Sequence, residues 1–377
     1  MPVAAHRIRF IAFGLLALAA AGCVRDAPEA QAETEAPQEA SAEWQAAFQR
    51  SLGAHLRTLA AREDAQSRLD LLRLQLLLQD FSTKPSPRRA RERLAAIARL
   101  REAAPAQTEA DWYHAELCVR PHPPASQGCD PAPALRRLQA AEPDNAAVWL
   151  LAAGAADARQ DPAGFDTALR RAAAATAFEL HYGRHWSGAI ESLERLPLPP
   201  LDAQTRRYLR SDAPEAATAA DMRATLATLA SPLPLPTSVV LGCRNPAPDR
   251  REACVQVASL MADSNTLIGQ TLGLSLMARL SADAADGAAW RERLRQAYWR
   301  NAQARERAIS PQFAALLRSQ GEVAAYDTLL RAAGRDRAPP DWLPESPLAR
   351  ELVRTGRAGD EDAAQPGPAA APAPAAH

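Results

Sequence analysis

Residues 142–172 read EPDNAAVWLLAAGAADARQDPAGFDTALRRA, and their punctuation decides the fold. Asp144 is placed to open a helix that carries Trp149. A short acidic side chain there can accept a hydrogen bond from the free N–H groups of a first turn. Asp161-Pro162 repeats the start signal, with proline at the first helical position, where its missing N–H costs nothing. Two short helices joined by so few residues must pack back on each other as an antiparallel pair.

The same grammar runs outward in both directions. Trp44, Phe48, Leu52, Leu56 and Leu59 recur every three or four residues, which predicts an amphipathic helix. Leu69, Leu72 and Leu76 predict a second, reaching Phe81. Ser86-Pro87 starts a third, with Leu94, Ile97 and Leu100 inward. Thr108 and Asp111 have capping-box spacing for a fourth, which carries Trp112 and ends near Cys118. Asp130-Pro131 opens another with Leu135 and Leu138, and Ser310-Pro311 a late one. The one β-favouring run, Thr237 to Leu241, is too short to carry a sheet. The expected class is all-α, as stacked antiparallel hairpins. LPLPPL at 196–201 is the main internal break, dividing a helical half at 43–196 from another at 201–355. SPLPLP at 231–236 is a second break, and 361–377 is a proline-alanine tail expected to lack structure.

Across residues 134–178 the pattern resembles one tetratricopeptide repeat. A proline-aspartate-asparagine turn precedes a helix with Trp149 at its fourth position, and a second helix returns through Ala168 and Ala172. Ala153 and Ala156 stand where that family has glycine and tyrosine. Gln312 to Ala333, with Gly321-Glu322 at the turn, has a similar shape. No 34-residue period repeats cleanly, so the resemblance implies a degenerate array whose grooves bind protein partners.

The N-terminus addresses the chain. His6, Arg7 and Arg9 precede an uncharged run from Phe10 to Ala21, followed by Gly22 and Cys23. This is signal-peptide layout, and a run of about a dozen residues falls short of the roughly 20 a spanning helix needs. Ala21-Gly22-Cys23 resembles the lipobox of bacterial lipoproteins, although Ala20 stands where that family usually has leucine. The resemblance implies removal of residues 1–22, acyl chains on Cys23 and membrane attachment. Val24 stands where an aspartate would signal the inner membrane, so the resemblance implies the periplasmic face of the outer membrane. Residues 23–42, rich in Ala, Glu, Gln and Pro, read as a flexible tether.

Composition narrows the function less. Basic and acidic residues balance at 44 each, which gives no global electrostatic reason to bind nucleic acid. Lys84 is the sole lysine, so the basic residues are almost all arginine. With Cys23 given to lipid, Cys118, Cys129, Cys243 and Cys254 remain, an even set for an oxidising compartment. Four cysteines allow three pairings; short loop closure favours Cys118–Cys129 and Cys243–Cys254. C-x2-C zinc spacing and a redox C-x-x-C are both missing.

His181 and His185 sit one helical turn apart with Glu179 beside them, a spacing that could place two imidazoles on a metal. A packed or surface helix face is the favoured reading of them, and of His114 and His122 as well. Gly273 to Met277 lacks the last glycine of a nucleophile elbow and lies in a periodic apolar segment. Glu191-Ser192 matches a dipeptide of lytic transglycosylases without their accompanying motifs. The expected function is therefore a lipid-anchored envelope scaffold binding another envelope protein or peptide, with no cofactor. The alternative is an envelope hydrolase or metal binder using Glu179, His181 and His185.

Overall fold

The structure is a computed structural model that describes residues 40–78, 87–119, 129–210, 213–231, 237–305 and 311–357. Cys23, the signal segment, most of the tether, Lys84, His122 and the C-terminal tail lie outside the described residues. The described residues form α1 (Ala42–Ala60), α2 (Ala65–Leu74), α3 (Pro87–Ala103), α4 (Glu109–Val119), α5 (Ala132–Ala141), α6 (Ala146–Ala158), α7 (Pro162–Ala173), α8 (Tyr182–Glu194) and α9 (Ala203–Leu209). They continue with α10 (Ala219–Ala230), α11 (Thr237–Gly242), α12 (Arg251–Ala262), α13 (Leu267–Leu280), α14 (Gly287–Arg305), α15 (Pro311–Gln320), α16 (Glu322–Ala332) and α17 (Pro347–Thr355). The only β-pairing among them is an isolated parallel bridge between Asn145 and Ala177. The class is all-α. No described helix is long and apolar enough to cross a membrane.

Of the start signals named above, Asp161 caps its helix as expected, while others shift. Asp64, Asp161, Asp202, Thr218, Thr266 and Ser346 each accept a hydrogen bond from the first turn they open. The N-cap of α6 is Asn145 rather than Asp144, which uses its carbonyl elsewhere. The capping box occurs at Thr218 and Asp221, not at Thr108 and Asp111. Asp111 is instead buried and paired with Arg101 and Arg137, an ion-pair role that outweighs a cap. The helix predicted to reach Phe81 ends at Leu74 and continues as a 3-10 turn to Leu78. Ala40 is buried and its carbonyl accepts from Gln45, so packing begins inside the stretch read as tether.

Consecutive helices pack as hairpins: α1 on α2, α6 on α7, α12 on α13, α13 on α14 and α15 on α16. Non-consecutive contacts of α7 with α12, α2 with α8 and α8 with α10 bind the hairpins to one another. The largest core joins α4 to α7 with α11 to α14 and α17. A second joins α1 and α2 with α8 to α10, α15 and α16. Each takes residues from both sides of the 196–201 proline run. Alanines carry much of this. Ala146, Ala147, Ala153, Ala155 and Ala156 are all buried on α6, so neighbouring helices approach it closely. Cys118 pairs with Cys129 and Cys243 with Cys254, with Cα atoms 5.3 and 5.4 Å apart. The second pair is fully buried in the largest core.

Charge is also buried. Arg73 and Glu109, on α2 and α4, form a two-bond pair at 2.8 Å, and Arg93 reaches Glu116 at 3.4 Å. Asp70, 2 % exposed, accepts two bonds from Arg195 at 2.7 Å and one from Ser192 at 2.8 Å. Ions taken out of water are tolerable only when matched this way.

The helix interface of α12 and α13 provides a test. Alanine normally favours a helix over glycine by about 1 kcal/mol. A Cβ on Gly273 would instead lie 2.2 Å from Ala262 N and 2.4 Å from Met261 C, backbone atoms that cannot step aside. Gly273→Ala should lower stability in urea unfolding by about 2 kcal/mol. A neutral or stabilising result would contradict the close approach of these helices.

Candidate functional site

The site is built from the EPDN turn upward. Asn145 Oδ1 accepts from Ala147 N–H (3.1 Å), the helix cap, and from Glu179 N–H (3.0 Å). Its Nδ2 donates to Glu142 Oε2 (2.8 Å) and to the Glu179 carbonyl (2.9 Å). Beside it, Ala146 N–H donates to Ala177 O and Thr176 N–H to Asp144 O. The chain leaving α7 is thereby sewn to the start of α6, and this sets where α8 begins.

His181, the residue before α8, has φ 54 and ψ 23, in the left-handed region. That conformation costs a non-glycine residue on the order of 1 kcal/mol. Local bonds offset it. Its N–H donates to Glu179 Oε1 at 2.8 Å, and its Nε2 lies 2.7 Å from Glu142 Oε2. Arg184 reaches its Nδ1 at 3.0 Å. Arginine can only donate, so Nδ1 accepts and the ring proton sits on Nε2, facing Glu142. Glu142 also accepts from Trp112 Nε1 at 3.2 Å. Burial opposes ionisation of Glu142, but the bonds from His181 and Asn145 outweigh it and hold the carboxyl down to about 2.

His185 points elsewhere. It is 1 % exposed and stacks edge-on to Tyr113, with ring centroids 5.8 Å apart. Its Nδ1 lies 3.7 Å from Glu109 Oε1, beyond ordinary hydrogen-bond length. Burial opposes the charge of Glu109 too, and the opposing effects of His185 and Arg73 hold it down to about 2. Arg73 continues to the carbonyl of Gly188, where any Cβ would strike the guanidinium at 2.2 Å.

The residues singled out by spacing therefore come together without converging on one point. The rings of His181 and His185 are 6.5 Å apart and face different carboxylates. Both oxygens of Glu179 are engaged, one by the His181 N–H and one by Asn265 Nδ2 at 2.8 Å. Among the described residues no group of three or more His, Cys, Asp or Glu is placed to hold a metal ion. His114 is buried against Arg101, and burial followed by that positive charge pushes its pKa down to about 4. Ser192 is buried with its hydroxyl on Asp70, whereas Glu191 is exposed. Gly273 to Met277 lies inside α13, not on a strand-to-helix turn.

What the polar chain encloses is a cleft of 440 Å³ at the start of α8. Glu179, His181 and Arg184 form one wall, Asn265 and Thr266 the end, and Leu317, Arg318 and Glu322 the other wall. Gly183 permits the narrow approach, since its Cβ would sit 3.3 Å from the Leu317 carbonyl. Glu322 accepts the Leu267 N–H at 2.8 Å, and burial pushes its carboxyl up to about 7. A second cleft of 420 Å³ lies between α1, α2 and Arg195, with His55 on its wall. Burial first, then Arg62 and Arg195, lower the His55 pKa against the pull of Asp70. Asn265 and Glu322 carry no motif. Only their contacts with residues far away in sequence bring them to this site.

The chain matches no family model, no curated protein and no solved structure. The arrangement nevertheless predicts an acid response. The folded pKa of Glu142 lies below its ordinary 4.5, so its stabilising share is full above that value and is lost as pH falls toward about 2. In Glu142→Gln, unfolding followed by circular dichroism should lose less stability between those pH values than the parent, by up to about 3 kcal/mol. Equal losses in the two chains would remove Glu142 from the account.

Proposed function

We propose that this chain is a lipid-anchored envelope module that binds an extended segment of another envelope protein in the α8 cleft. The observation that carries the reading is the cleft's construction. Its volume lies within the roughly 300–1,000 Å³ of ordinary ligand pockets. Its walls hold donors and acceptors together, the guanidinium groups of Arg184 and Arg318 with the carboxyl oxygens of Glu179 and Glu322. Its floor includes the buried Leu317. A peptide backbone supplies donors and acceptors alternately, so walls with both kinds of group suit it better than a single-charge ligand.

The lipobox resemblance at Ala21-Gly22-Cys23 supports the anchor. Acyl chains on Cys23 would hold the body at the periplasmic face of the outer membrane, and the stretch before α1 would act as spacer. The balanced charge of the chain supports a protein partner over nucleic acid.

The test is made on the full chain in cells, with a photoreactive residue at the exposed Ser319 beside the cleft. The anchored chain should crosslink to a discrete envelope protein. Joint replacement Arg184→Glu and Arg318→Glu should reduce that product at least tenfold, and Cys23→Ser should leave the chain unprocessed or in the soluble periplasm. An unchanged crosslink in the double variant would contradict the cleft. Normal processing and outer-membrane recovery of Cys23→Ser would contradict the anchor.

A further inference from the structure

Arg184 and Arg318 line the α8 cleft from opposite walls, and neither is closed by a carboxylate. Arg318, on α15, is exposed and has no hydrogen bond or ion pair among the described residues. Arg184, on α8, is also exposed, and its one partner there is His181 Nδ1 at 3.0 Å. The rest of its fork of donors is open. Other arginines that join helices are closed by acids, as Arg73 is by Glu109 and Arg195 by Asp70.

Arg184 is nevertheless aimed. The ring that holds it is fixed on its far side by Glu142, and the His181 backbone is kept at φ 54 by its bond to Glu179. Strain of this kind persists where the surroundings over-determine a residue, and it gathers at binding sites. An imidazole nitrogen orients the guanidinium without setting a negative charge against it. The opposite wall is held in register through Asn265, whose side chain reaches Glu179 and whose carbonyl accepts the Val323 N–H of the α15–α16 turn at 3.0 Å. The acids of the cleft are engaged by the protein itself. Glu179 has one oxygen on the His181 N–H and one on Asn265, and Glu322 has one on the Leu267 N–H. The open positions are therefore donors on two facing walls. α8 also starts without a side-chain cap bond, so its N-terminal end favours an anion in the same place.

We propose that the cleft recognises an acidic side chain: an aspartate or glutamate of the bound segment seats between Arg184 and Arg318, and His181 is the residue that positions Arg184. The inference rests on the peptide-binding reading and narrows it to an acidic segment. A guanidinium meets a carboxylate through two parallel N–H···O bonds, so geometry as well as charge selects the group. An extended segment that crosses the cleft has no end inside it, so the carboxylate belongs to a side chain and not to a chain terminus.

Selection of short random peptides on the purified full chain tests this, with one library blocked at both ends and one with a free C-terminus. Aspartate and glutamate together should be enriched on the order of tenfold at one position of the blocked peptides. Both arginines are exposed, so the joint replacement Arg184→Glu and Arg318→Glu leaves the packing intact and should select lysine or arginine at that position instead. His181→Asn keeps a residue type that accepts the left-handed backbone. It should weaken the best acidic binder about fivefold and leave the glutamine form of the same peptide unchanged, a split that a merely structural role would not give. Selected peptides with no acidic position, an acid preference confined to the free C-terminus, or one that survives the charge reversal would each overturn the proposal and leave peptide binding standing. Equal weakening of the acidic and glutamine forms in His181→Asn would overturn the role given to His181. Selection of no peptide at all would overturn the peptide-binding reading, and this inference with it.

Discussion

Asn145 is the interaction on which the rest of this architecture depends. It is 6 % exposed, and its one amide group makes four hydrogen bonds, two as acceptor and two as donor. A buried amide is tolerable only with its partners satisfied, and here the partners belong to three pieces of chain. They are the end of α5, the start of α6 and the strand-like segment that delivers α8. Remove the amide and the backbone of Glu179 loses both bonds, which frees His181 from its left-handed turn. The consequences continue through Glu179 to Asn265, and from Asn265 to the α15–α16 turn.

This chain of contacts explains why a body with few aromatics and much alanine holds one arrangement. Alanine packs closely but specifies little, because a smooth helix face can be met by many others. Specificity comes from polar groups that have one satisfactory partner each. Arg73 fits over Gly188 and holds Glu109; Asp111 collects Arg101 and Arg137; Asp70 collects Arg195, Ser192 and Gln66. These pairs join α2, α3, α4, α5 and α8, and Asn301 to Thr271 and Arg300 to Gln270 join α14 to α13, whereas the α12–α13 interface relies on close apolar packing. The cleft forms where the two kinds of packing meet.

Much of the fold was legible because its signals are local. The 3–4 residue spacing of Trp44, Phe48, Leu52, Leu56 and Leu59 and the cap at Asp161 concern one helix each. Even the disulfide partners were legible, since a short loop brings its own ends together. The site was legible only in part. The spacing of His181 and His185 drew attention to the right turn of α8, but spacing says nothing of depth. The left-handed residue and the inward rotation of α8 send the two rings to different carboxylates. Thr108 and Asp111 matched a capping box, yet tertiary ion pairs claimed Asp111. Asn265 and Glu322 could not be foreseen, because their roles come from residues 86 and 55 positions away.

The central claim is that the Asn145 amide ties the α5–α6 turn to α8 and so shapes the cleft. The direct measurement is the stability of Asn145→Ala against the parent chain in urea, at neutral pH. Four buried bonds at about 1 kcal/mol each, one of them a helix cap, predict a loss of roughly 2–4 kcal/mol. A loss within about 0.5 kcal/mol, the range of an ordinary surface substitution, would contradict the account.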